Sequence, residues 1–164
     1  MLKVMRMLLA VVPILIGPAA VRAQEPAVIH DNLQLSPEVR MLLQEEMREI
    51  AGASQAIVIS LAAGDWASIR QRSEQISASY VMAQKLTEAQ KQELEDRLPE
   101  RFKHMDMAFH ARAAKLGMAA ESGDPERVAY EFGRLLESCS TCHAAFAKSR
   151  FPGFLSRAPE AHRH

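Results

Sequence analysis

Cysteine is nearly absent from this 164-residue sequence, which contains two. That scarcity leaves out an ordinary zinc site, which wants a fourth ligand and usually a second close pair. An excess of one charge is also missing, with 20 basic against 20 acidic side chains and no basic stripe, so nucleic acid is not expected as a partner. Long apolar runs are lacking after the first 23 residues, so no later stretch can span a bilayer. The chain shows no nucleophile–base pair, no carboxylate cluster in a glycine-rich frame and no phosphate loop, and it is not expected to be an enzyme. No strand pattern or internal repeat stands out.

The N-terminal segment has a clear pattern. Lys3 and Arg6 precede an apolar run over 7–16, then Gly17-Pro18 and small residues leading to Val21-Arg22-Ala23. This reads as a secretory signal peptide over 1–23, cut before Gln24. The run is shorter than the ~20 residues a membrane span needs, and the segment carries Pro13 and Pro18, so no anchor is expected after cleavage. The mature chain is expected to form one domain over 24–154, with 155–164 as a disordered tail. Loss of Lys3, Arg6 and Arg22 leaves 17 basic against 20 acidic groups, a mild charge that steers partners little.

Both cysteines fall in one pentapeptide, Cys139-Ser140-Thr141-Cys142-His143. Thiols three positions apart lie about one helical turn from each other, so both sulfurs can add to the two vinyl groups on one edge of a porphyrin. The histidine next to the second thiol can bind the iron as proximal ligand. A thioredoxin-like redox pair would want a strand before it, and none is suggested here. The remaining alternative is a plain disulfide or a chance match. The motif reads as the attachment site of one covalent haem c, and with the signal peptide it places the chain in the periplasm of a Gram-negative bacterium.

Helical spacing dominates the rest. Ser36-Pro37-Glu38 predicts a capped helix whose apolar line runs through Val39, Leu43, Met47, Ile50, Ile57 and Leu61 to Gly64. Asp65 opens a second helix that fades near Lys85, and Thr87 caps a short one stopped by Pro99. A third long helix runs from Pro99 to Gly123, and a fourth from Asp124-Pro125 to about Arg150. The expected fold is all-α, an antiparallel four-helix bundle with a short extra helix between the second and third long helices. In that topology the haem pocket is lined by residues within 39–50, 77–81, 102–110 and 135–151.

These features together resemble the cytochrome c prime superfamily, including its methionine-ligated low-spin relatives. The resemblance covers residues 36–154 and rests on four helices with the haem motif near the end of the last, followed by aromatic Phe146. It implies haem contacts from Phe146 and from Arg40, which would reach a propionate, and a homodimer formed through the first two helices. Many members carry a cation four residues after the ligand histidine; here Ala147 stands there, with Lys148 and Arg150 nearby. The sixth iron position is assigned to Met47, since a thioether suits an electron carrier by favouring ferrous iron. The alternative to Met47 ligation is a packed methionine that leaves the iron five-coordinate. Met41 is a weaker candidate, and Gln44 a polar group that would need a partner if buried. His110, with Asp106 one turn before it, is read as a polar contact rather than a second axial ligand; His104, His162 and His164 as solvated. The expected function is single-electron transfer between redox partner proteins. The alternative is a five-coordinate haem protein that binds nitric oxide or carbon monoxide in gas buffering or sensing.

Overall fold

The computed structural model describes residues 33–154; the segments expected as signal peptide (1–23) and tail (155–164) lie outside the described residues. The chain forms α1 (Pro37–Ala63), α2 (Trp66–Ala78), α3 (Glu88–Arg97), α4 (Glu100–Ser122) and α5 (Pro125–Phe146), then a 3-10 turn at Pro152–Phe154. Among the described residues there is no strand, and no helix is long and apolar enough to cross a membrane. α1 packs on α2, α2 on α4 and α4 on α5, while α1 and α5 meet over only a short stretch. The result is an all-α antiparallel four-helix bundle with α3 in the connection between its second and third long helices.

Local chemistry sets the helix ends. The Val39 N–H donates to the Ser36 side chain at 3.3 Å, and Pro37 occupies the first turn. Asp65 receives the Ser68 N–H at 3.1 Å, and Thr87 and Gln90 form a reciprocal capping box. Gly64 and Gly123 end α1 and α4 with left-handed φ values of 69° and 65°, which glycine adopts without a Cβ penalty. Trp66 packs close to both, at the end of the bundle away from the cysteines.

Two helices are shorter than their spacing predicts. α2 stops at Ala78 rather than near Lys85, because Ser79 turns to a left-handed φ of 60° and the next three N–H groups donate to a side chain on α1. α5 stops at Phe146 rather than near Arg150. Its last N–H bond runs from Ala147 to the His143 carbonyl, after which the chain turns and brings Phe151 back onto the His143 ring.

The main core joins Ile50, Ala53 and Ile57 of α1 with Ile69 and Ile76 of α2, four residues of α4, and Val128, Phe132 and Leu135 of α5. Small residues let α2 and α4 approach closely: a Cβ on Gly117 would lie 3.5 Å from the Ser73 Cβ. Buried Ser73 satisfies its hydroxyl on the Ile69 carbonyl at 2.8 Å. Leu116 is fully buried in this cluster, so Leu116→Ala is expected to cost about 2–5 kcal/mol, read as a lowered urea midpoint with an unchanged slope.

Candidate haem site

α5 carries the two cysteines on the same face as its core residues. Val128, Phe132, Leu135 and Phe146 are buried, and Cys139 and Cys142 fall on the continuation of that line, both partly buried. The Cys139 thiol lies 3.6 Å from the Leu135 carbonyl, and burial raises its pKa. Burial, then the charge of Asp106 and the neighbouring thiol, push Cys142 up to about 11, with Arg101 opposing. Burial, aided by Arg150, lowers the pKa of His143, which favours the neutral imidazole that iron requires. Its ring is stacked with Phe151 at 4.4 Å between centroids and 14° between planes.

Contacts between helices set the level of the site. Phe102 of α4 and Phe146 of α5 meet edge to face at 5.3 Å, and four residues inward from each lie Asp106 and Cys142, which interact electrostatically. One turn further along α4, His110 meets the Ile76 carbonyl of α2 at 2.7 Å through Nδ1. Tyr80, Val81 and Met82 come about one turn after Ile76, returning to the cysteine level. There the Glu46 carboxylate of α1 accepts all three of their backbone N–H groups, at 3.1, 2.6 and 3.2 Å. The expected pocket windows therefore do converge at one end of the bundle. Leu35, Val39, Val81, Phe102 and Phe146 are buried there, outside the main cluster.

The seam between α1 and α5 is the loose side of this layer. Successive helical residues are offset by about 100°. On α1, Glu45 pairs with Lys85 at 2.7 Å and Glu49 acts electrostatically on Tyr80, so this flank faces the α2 side. Met47 lies on the opposite flank, toward α5. On α5, Cys142 faces Arg101 and Asp106 of α4, and His143, the next residue round, turns toward α1. Met47 and His143 thus border the same seam from opposite helices, within about one helical turn of the same level.

The other sequence candidates occupy varied settings. Met47 is 38% exposed, and the fully core-facing place beside it belongs to Glu46, which corrects the expected apolar line of α1. Met41 is 62% exposed, farther from the core, and Gln44 is half-buried. Arg40 donates to the carbonyls of Leu33 and Leu35 at 3.4 and 3.2 Å, pinning the lead into α1. His110 meets the Ile76 carbonyl through Nδ1, with Nε2 3.6 Å from Asp106, whose carboxylate raises its pKa. The residue missed by sequence reasoning is Glu46. An acid on an apolar line reads as an interruption, yet its spacing of seven from Val39 and four from Ile50 marks it.

A family description for Cytochrome C' matches residues 43–147, which include Met47, Cys139, Cys142, His143 and Phe146. The chain belongs to the cytochrome c′ family. No curated protein and no solved structure matches it. Membership implies haem c, and the residues present fit that group: two inward thiols one turn apart and a partly desolvated imidazole beside them. Cys139 and Cys142 would hold it, with His143 at its iron.

The raised Cys142 pKa has a measurable consequence in this cytochrome c′ prepared without haem. The fold favours the neutral thiol, so its contribution to stability is present below the unfolded value near 9 and lost as pH rises through about 11. Alkylation of Cys142 should accelerate roughly tenfold per pH unit up to that range, and a plateau near pH 9 would contradict the desolvated setting.

Proposed function

We propose that this cytochrome c′ is an exported, periplasmic electron carrier with one haem c, bound through Cys139 and Cys142, with His143 as proximal ligand and Met47 as the sixth. What supports this reading is helical phase: on the ~100° offset per residue, Met47 and His143 fall on the flanks of α1 and α5 that adjoin each other, where the two helices meet over only a short stretch. Haem c bound there supplies a one-electron ferric/ferrous couple. His143 offers a neutral nitrogen, held in plane by the stacked Phe151. Met47 offers a thioether, and its partial exposure at the seam is surface that the ring would cover. Phe102 and Phe146 supply an apolar wall that keeps water from the ring edge.

His110 is set aside as a competitor because its Nδ1 is taken up by the Ile76 carbonyl of α2, which turns the ring toward that helix. Arg40 remains within reach of a propionate only by leaving the carbonyls it now binds. The partners are redox proteins.

Optical spectra of the purified haem protein, ferric and ferrous, with and without carbon monoxide, test the assignment. A sulfur-to-ferric-iron charge-transfer band is expected, and Met47→Ala should abolish it and open the ferrous iron to carbon monoxide. A high-spin ferrous parent that takes up carbon monoxide readily would overturn Met47 ligation in favour of the gas-binding reading. His143→Ala should remove the native axial spectrum while the thioethers still hold the haem.

A further inference from the structure

We infer that Glu46 is a positioning residue for the sixth iron ligand, acting by fixing the rotation of α1 about its own axis. The inference rests on the assignment of Met47 just proposed. Glu46 is a carboxylate with 2% of its surface exposed, placed among apolar side chains where an unpaired charge would be expelled. It is held by three consecutive backbone N–H groups from the corner after α2, 34 to 36 residues away in the chain. Charge-assisted bonds of this kind are shorter and stronger than neutral ones, and the 2.6 Å contact from Val81 is of that type.

The corner is built to present those donors. Ser79 adopts the left-handed φ of 60°, its hydroxyl receives the Ala83 N–H at 3.3 Å, and its carbonyl receives the Gln84 amide at 2.7 Å. Three consecutive N–H groups of this corner thus converge on one carboxylate of α1. Lys85 to Glu45 adds a tie on the same flank, but that pair is exposed and contributes little. With Glu46 fixed toward the corner, the next residue is turned about 100° to the opposite side. Met47 is thereby aimed into the α1–α5 seam, across from His143. Rotation of α1 by less than one residue's offset would carry the thioether out of that seam.

A purely structural carboxylate would lower thermal stability without touching the iron. The discriminating variant is Glu46→Gln in the haem-loaded protein, where the amide's own N–H₂ faces the donors of the corner. The expected result is a loss of much of the sulfur-to-iron band, carbon monoxide binding roughly tenfold tighter as the thioether yields, and faster hydrogen exchange at the Tyr80, Val81 and Met82 amides. Glu46→Asp, which keeps the charge on a shorter arm, serves where the glutamine variant does not fold, and should give the same changes in lesser degree. A folded variant with the parent's band and carbon monoxide response overturns the inference, whatever its melting temperature. Met47→Ala run alongside separates the two readings. If it abolishes the band while the Glu46 variants leave it intact, only the positioning role falls; if it leaves the band intact, both fall.

Discussion

The inward face of α5 is the constraint on which the site depends. The helix must bury Val128, Phe132 and Leu135 to join the core, and the same face then delivers Cys139, Cys142 and Phe146 to the interior. A thiol pair on the outer face would meet solvent and neighbouring polar groups such as Lys148. Because the inner face also supports the bundle, the cysteine pair and the core residues share one side of one helix. The thiols sit where burial holds them neutral and the adjacent imidazole uncharged.

The bundle accommodates that demand by being unequal in its seams. α2 and α4 come close through Ser73 and Gly117, and α4 meets α5 through Phe102 and Phe146. α1 is tied to the α2 corner by a buried carboxylate, leaving its other flank free of close packing against α5. The far end is closed by Trp66 between two left-handed glycines, while the cysteine end is built from a second apolar group and polar ties. One end thus supplies most of the packing, while the cysteine end is held by a smaller apolar group and by polar ties.

Much of this was legible in residue order. Caps at Ser36, Asp65, Thr87 and Asp124 act on backbone N–H groups two or three residues away, so they are local and visible in a single sequence. The haem motif is local too, because its chemistry needs a spacing of one turn. Two helix ends were misjudged for non-local reasons: α2 ends where Glu46 takes over the N–H groups just beyond it, and α5 ends where Phe151 folds back on His143. On α1 the expected line holds at Val39, Ile50 and Ile57, and the one exchange is local: Glu46 is buried where Met47 is expected. Apolar spacing favours Met47 over a glutamate, and nothing within α1 reveals that three donors wait on another segment.

What the sequence by itself determined is the helical class, the order and capping of the elements, and the one-turn spacing of Cys139, Cys142 and His143 on a single helix, all of which rest on interactions within about one turn. Only the tertiary structure decided which flank of α1 faces α5, that Glu46 rather than Met47 takes the core position, and that His110 lies against the Ile76 carbonyl. The reason is range. A helix sets its own pitch and capped N-terminus, but where α2 and α5 stop, and which residue of α1 takes the core place, are set by contacts beyond one turn, for Glu46 a corner some 35 residues away.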